Sequence, residues 1–277
     1  MKAVKFNWLF VACAIVLLAG IGPATLGDLN PGDPHKMHFP QLPDPMGWDV
    51  CVADQWVADD FMCTKTAPID DIHFWVSWRR DQVGDPDLLT PDISIWSDAD
   101  GRPGERLWTW TGEGDVNFRV YGTGQQGWVC PTLGEMVYPD HQMFFQVNIT
   151  KIPRPFTQKR GTVYWLVVRA VFPPGAPWQL GWKTSKNDPP GPLWGKPAMW
   201  SVDTLNWNTL VTGTIMPQVH DMAFVITGKA QPPFGPPTLS VGGLINPEPW
   251  HAWIDPSKPV SVQLQVTDPC NAIECVD

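Results

Sequence analysis

Positive charge is scarce in this chain: 19 Lys and Arg stand against 28 Asp and Glu, a net charge of -9 over 277 residues. Nucleic acids and anionic membrane surfaces both call for a basic face, so neither is expected as a partner. Spacing signatures of catalysis are also missing. There is no C-x-x-C to nominate a zinc or thioredoxin-like site, no G-x-S-x-G elbow, no H-E-x-x-H pair and no P-loop. The one G-x-G-x-x-G match, "GTGQQG" at Gly122–Gly127, runs into "WVCP" where a phosphate-binding helix would have to begin, which rules it out. The 6 His are scattered; His35 and His38 have a metal-like spacing but sit in a Pro-rich stretch and read as surface histidines. No segment beyond the N-terminus shows a convincing helical period, which excludes a helix bundle.

Long apolar runs are absent as well, with one exception. Residues 1–27 carry Lys2 and Lys5, an uncharged core from Trp8 to Ile21 and then small residues, the order of a secretory signal peptide. That core falls short of the roughly 20 residues that span a bilayer, and Cys13 lies inside the run, where a lipoprotein signal would not place it. The expectation is export, with a mature N-terminus between Thr25 and Asn30 and no membrane span in the mature chain. Cysteine is sparse too. Past the leader there remain Cys51, Cys63, Cys130, Cys270 and Cys275, an odd number for an oxidising compartment. Cys270 and Cys275 form the most local candidate disulfide, and the pairing of the others is not readable from spacing.

What the chain does have is 17 Trp, 31 Pro and 24 Gly, a mixture that points to short strands, many turns and large aromatic anchors. Candidate strands fall at 56–63, 71–79, 92–97, 106–111, 116–121, 143–150, 161–172, 178–184 and 221–227, separated by Gly, Pro, Asp and Asn clusters. In 71–79 the alternation places Ile72, Phe74, Val76 and Trp78 on one face and Asp71, His73, Trp75, Ser77 and Arg79 on the other. Residues 161–172, "GTVYWLVVRAVF", are apolar on both faces, as a central covered strand would be. The expected fold is all-β, an antiparallel β-sandwich of jelly-roll type. It is flanked by a Pro-rich leader at 28–47 and a Pro-rich linker at 229–259, with the sandwich domain at 48–228 and a strand plus Cys-containing tail at 260–277.

The pieces "VADDFMC", "IDDIHFWVSW", "ISIWSD", "RPGERLW", "MFFQVNI", "YWLVV", "GWKTS" and "DMAFVI", in that order, resemble an uncharacterised family of secreted bacterial β-sandwich domains, described as a domain of unknown function in surface proteins. The resemblance covers about Trp48 to Thr227. It implies a fold and a place at the cell surface, and carries over no catalytic residues.

The acidic residues are the candidates for catalysis and for metal binding. Asp59 and Asp60 are neighbours in an expected strand, so their side chains point to opposite faces and cannot form a dyad together; the same holds for Asp70 and Asp71. A carboxylate site could still combine Asp59 or Asp60 with Asp71 or His73 across strands, against hydrogen bonding to turns and strand ends. "SDADGRPGE" offers Asp98, Asp100 and Glu105 around Gly101. An EF-hand needs a further ligand before the Gly and a Glu six residues beyond it, and both are missing. A hairpin turn accounts for the residues, and a calcium site of another kind is the alternative; no other cofactor is expected.

The aromatic content carries the ligand hypothesis. If strands 71–79, 92–97 and 106–111 are neighbours, one face carries His73, Trp75, Ser77, Asp92, Ser94, Trp96, Trp108 and Trp110. Sugar rings stack their C–H faces on indoles while hydroxyls take hydrogen bonds, so Trp75, Trp96, Trp108, Trp110 and His73 are the candidate glycan contacts. The competing reading is that a second sheet or the Pro-rich leader covers these indoles and makes them core. The expected function is a non-enzymatic exported module, either binding a polysaccharide or cell-surface glycan or serving structurally. The alternative is a carbohydrate-active hydrolase with two carboxylates about 5 to 9 Å apart.

Overall fold

The computed structural model describes residues 29–228, apart from 31, 38, 54, 187–194 and 214–215, and the backbone of 239–241 and 264–266. Strands β1 (Trp48–Cys51), β2 (Trp56–Met62), β3 (Asp71–Trp78), β4 (Thr90–Asp98), β5 (Pro103–Thr109) and β6 (Asp115–Cys130) are followed by β7 (Glu135–Thr150), β8 (Val163–Val171), β9 (Leu180–Lys183), β10 (Met199–Ser201), β11 (Asn208–Thr209) and β12 (Phe224–Thr227). They build two six-stranded sheets, in the order β9-β1-β6-β7-β3-β12 and β11-β10-β2-β8-β4-β5. Every pairing within them is antiparallel except β1 with β6.

Alternation decides which side of each strand the shared core takes. Ile72, Phe74 and Val76 of β3, Val147 and Ile149 of β7 and Phe224 of β12 face Val57 and Phe61 of β2, Ile93 and Ile95 of β4 and Leu166 and Val168 of β8, all in one buried cluster. Phe61 and Phe224 meet edge-on across the two sheets with ring centroids 6.0 Å apart. Each such side chain contributes about 1.5 to 3 kcal/mol of transfer free energy, so this layer dominates the fold's stability. β8 is covered on both sides, as its unbroken apolar run predicts: Trp165 and Val167 form a second, outward cluster with Ala58 and Trp96.

The first sheet carries an unusual closure. β9 pairs with β1 through Asp49↔Lys183 and Val50↔Trp182, and also with β3 through Gly181↔Ser77 and Trp182↔Val76. The long β6–β7 hairpin reaches β1 at one end and β3 at the other. β9, β1, β6, β7 and β3 therefore form a closed circuit of hydrogen-bonded strands, with a face turned away from the shared core and no free edge along it. A disulfide joins Cys51 on β1 to Cys130 on β6. Cys63 is a free, buried thiol that burial pushes up to about 12.

The leader is tied to the domain. Backbone bonds run from Lys36 to Ile226, from Gln41 to Phe224 and from Asp44 to Thr184, so residues 36–44 line the edge formed by β12 and β9. In the tail, Leu264–Val266 pairs with Leu239–Val241, a strand inside the segment read as a linker. Residues 1–27, His38, Cys270 and Cys275 lie outside the described residues.

Candidate functional site

The face of the second sheet that points away from the core carries a ladder of alternating charge and indole. The Arg169 guanidinium lies 4.1 Å from the centroid of the Trp56 ring. Trp56 Nε1 donates to Asp92 Oδ2 at 3.2 Å, and Arg106 pairs with the same carboxylate oxygen at 3.9 Å. Arg106 in turn covers the Trp96 ring at 5.0 Å, and Trp96 meets Trp207 edge-on at 5.9 Å. The register explains the order. β2, β8, β4 and β5 pair side by side, so residues of one pleat direction on neighbouring strands fall into rows across the sheet. A guanidinium over an indole in a half-buried setting contributes on the order of 1 kcal/mol, enough to hold each side chain in one rotamer.

At one end the ladder opens into a groove of about 360 Å³, lined by Arg169, Phe172, Pro173, Pro177, Trp178 and Gln179 among others. Arg169 belongs to both the ladder and the groove. Its Nε is buried and makes no hydrogen bond among the described residues. No carboxylate lines this groove among the described residues. At the ladder's other side Asp60 is buried beneath Lys196, whose backbone N–H donates to Oδ2 at 3.1 Å. Burial pushes the Asp60 carboxyl up to about 7, and Gly195, at φ 78°, leaves no room for a Cβ beside it.

A second constellation lies on the far face of the first sheet, inside the strand circuit. Lys183 Nζ donates to Asp49 Oδ2 at 3.1 Å and to Gln126 Oε1. His141 Nε2 lies 2.9 Å from the same Asp49 oxygen and its Nδ1 lies 3.0 Å from Asp140 Oδ2. Ser77 Oγ donates to Gln126 Oε1 at 3.1 Å. The side chains of Asp49, His141 and Lys183 are wholly inaccessible. Burial opposes the Asp49 carboxylate, but Lys183 and His141 beside it hold the group below its ordinary range. Burial likewise opposes a charge on His141, and its hydrogen bonds to the Asp49 and Asp140 carboxylates draw its pKa up. Buried charges persist only where partners surround them in this way.

The residues singled out from sequence fall in different places. The expected adjacency of 71–79 with 92–97 and 106–111 does not occur: β3 pairs with β7, β9 and β12, while β4 and β5 belong to the other sheet. Local alternation gives a strand its two faces and says nothing of its partners, and this splits the aromatic strip. Trp75 is fully buried on the first sheet, edge-on to Tyr121 at 5.4 Å. His73 beside it lies between Asn148 Oδ1 at 2.6 Å and Thr227 Oγ1 at 3.0 Å. The leader reaches this face, where Leu29 O accepts from Arg119 and Gln146. Trp96 is in the ladder, 6% exposed. Trp108 and Trp110 point to the other side, their Nε1 atoms donating to Arg154 O and Glu113 O, each at 2.8 Å.

Among the carboxylates, Asp59 and Asp60 do point to opposite sides. Asp59 turns into the core edge, accepting from Gln41 Nε2 at 2.7 Å and Met222 N at 2.6 Å. Burial, with Asp221 and Asp60 nearby, raises its pKa well above the usual carboxylate range. Neither meets Asp71 or His73, which belong to the other sheet. Asp98 accepts from Gly101 N at 3.2 Å and from Trp165 Nε1 at 2.9 Å, so it is engaged by its own hairpin turn and by the neighbouring strand. Asp100 and Glu105 are exposed on that hairpin. No group of three His, Cys, Asp or Glu side chains is arranged to hold a metal among the described residues.

Sequence reasoning missed Arg169, Trp56 and Trp178, because half-buried aromatics at strand ends break no local pattern. It also missed Asp49, His141 and Lys183. The signal that could have found them was a Lys flanked by Trp182 in "LGWK" and an Asp in "WDVC", charges placed where apolar alternation leaves them only an inward or covered face.

No curated protein and no solved structure matches the chain. A family model does, over residues 37–227, from the leader's first backbone contacts to the last strand of the first sheet. The two sheets, the ladder and the buried charge cluster therefore all lie within the match, and the chain belongs to the family described as Domain of unknown function (DUF7901).

Proposed function

We propose that this chain is an exported module that binds a polysaccharide in the groove beside Arg169, with the Trp56–Asp92–Arg106–Trp96 ladder holding the groove's edge rigid, and that it does not cleave its ligand. The observation that carries the reading is Arg169 itself: it stacks on Trp56 and lines the groove. Phe172 and Trp178 supply apolar ring faces, and Gln179 with Arg169 supplies hydrogen bonds, the combination a sugar's C–H face and hydroxyls call for. Binding is supported by the groove's lining of ring faces and hydrogen-bonding side chains, with no carboxylate pair among the described residues. Export is supported by the order of residues 1–27 and by the Cys51–Cys130 disulfide, a bond that persists in oxidising compartments.

The test is retention on insoluble cellulose, chitin and xylan, scored together with release of reducing sugar. The wild type is expected to be retained by at least one of them with no release. Arg169→Ala should lose retention while unfolding within about 1 kcal/mol of wild type, and Trp56→Ala, which also gives up packing on the outward cluster, should lose retention at a cost of about 1 to 3 kcal/mol. Retention unchanged in both variants, or reducing sugar released by the wild type, overturns the proposal.

A further inference from the structure

The buried cluster within the strand circuit has the geometry of a covalent cross-link. We infer that Lys183 and Asp49 condense to an amide, a self-formed isopeptide bond between β9 and β1. The two residues are direct cross-strand partners, with Lys183 Nζ 3.1 Å from Asp49 Oδ2 and both side chains wholly inaccessible. Water, which would reverse the reaction and solvate the ions, is kept out. Phe144 lies under the ammonium at 5.2 Å, and Trp128 stands edge-on to His141 at 6.3 Å. Asp49 Oδ2 is gripped by both His141 and Lys183, and the Ser77 hydroxyl hydrogen-bonds the same carboxylate.

Those contacts assign the steps. From the resting ion pair, in which Lys183 and His141 hold the Asp49 carboxyl below its ordinary range, Lys183 transiently passes a proton to Asp49 Oδ2, giving an amine and a carboxylic acid. The freed Nζ lone pair attacks Asp49 Cγ, and a C–N bond forms. His141 Nε2–H, 2.9 Å from Oδ2, delivers the second proton to that oxygen, the Cγ–Oδ2 bond breaks and water leaves. His141 recovers its proton from the nitrogen. Oδ1 becomes the amide carbonyl oxygen, and the remaining N–H points to Gln126 Oε1, which already accepts from Nζ. One water is lost, two protons move from nitrogen to oxygen, and no oxidant or reductant is needed. Asp140, 3.0 Å from His141 Nδ1, is a positioning residue that keeps Nε2 aimed at Asp49. The link would lie two residues from Cys51, so β1 would be fastened covalently to β9 on one side and to β6 on the other.

The experiment uses the full chain, denatured, reduced and digested with trypsin for mass spectrometry. The expected product is a branched peptide joining the Asp49 segment to the Lys183 segment, one water lighter than the two together, with no cleavage after Lys183. In His141→Gln the linked fraction at a fixed time should fall at least tenfold, since a positioned proton carrier contributes on the order of 100-fold or more, and in Lys183→Met it should vanish. Cleavage after Lys183 with an unmodified Asp49 peptide in the wild type overturns the inference whatever the variants do. Full linkage in His141→Gln overturns the proton route assigned to His141.

Discussion

Replacing Asp60 by Asn should make the domain more stable as the pH rises, an effect the fold sets in both sign and size. Asp60 is 2% exposed, its Oδ2 accepts from Lys196 N and its Oδ1 has no partner among the described residues. Its carboxyl titrates at about 7 in the folded protein against an ordinary 3.8. A raised acid binds its proton more tightly in the folded state, so its stabilising contribution is complete below 3.8 and is lost as pH rises through about 7. About three pH units at about 1.4 kcal/mol each give a loss of roughly 4 kcal/mol. Asn keeps the shape and the acceptor for Lys196 N–H and never ionises. The stability difference between Asp60→Asn and wild type, from guanidinium chloride unfolding, should therefore be within about 1 kcal/mol at about pH 4 and should grow to roughly 4 kcal/mol in favour of Asn by about pH 8. Taking the difference cancels the groups whose titration does not depend on Asp60. Asp59 adds in the same direction, because Asp60 is one of the charges that raise it. A difference that stays flat across this range would refute the burial argument for Asp60.

Further outcomes follow from other parts of the core. Converting Cys51 and Cys130 together to Ala opens a cross-link with a sequence separation of 79 residues. Loop-closure entropy then predicts a loss of about 4 kcal/mol, read as a lower denaturant midpoint with an unchanged native spectrum. Trp75→Ala removes a fully buried indole and should cost about 3 to 5 kcal/mol while leaving polysaccharide retention intact in whatever fraction stays folded.

The strands themselves were largely legible. Expected segments at 56–63, 71–79, 92–97 and 161–172 appear as Trp56–Met62, Asp71–Trp78, Thr90–Asp98 and Val163–Val171, because each carries β-branched and aromatic residues between turn formers. The β6–β7 hairpin was legible only at its open end, as the expected segments 116–121 and 143–150. Gly122, Gly124 and Gly127 read as loop, yet they lie inside β6. A Cβ at Gly124 would collide with the Pro45 carbonyl, and one at Gly127 would meet the Trp48 ring at 2.5 Å. The glycines are there so that the leader and β1 can lie against the strand, a tertiary reason that no local pattern reveals. Sheet membership was not legible for the same reason. β3 finds its partners at 145–149 and 224–227, far along the chain, and the aromatic strip assumed from nearest neighbours came apart. Of the candidate ligand surface, Trp96 and Asp92 were named and do sit together, while Arg169 and Trp56 emerge only once β2, β8 and β4 are laid side by side.

The most direct measurement of the central claim is a titration of the indole N–H resonances of the labelled protein with short soluble oligomers of the polysaccharide that retains it. Trp178 lines the groove and Trp56 lies under Arg169, its Nε1–H bonded to Asp92, whereas Trp75, Trp128 and Trp182 are fully buried on the first sheet. The account predicts saturable shifts at Trp178 and Trp56, assigned by single Trp→Phe variants, with Trp75, Trp128 and Trp182 unmoved. Saturable shifts that leave Trp178 and Trp56 in place and appear at other indoles would contradict it.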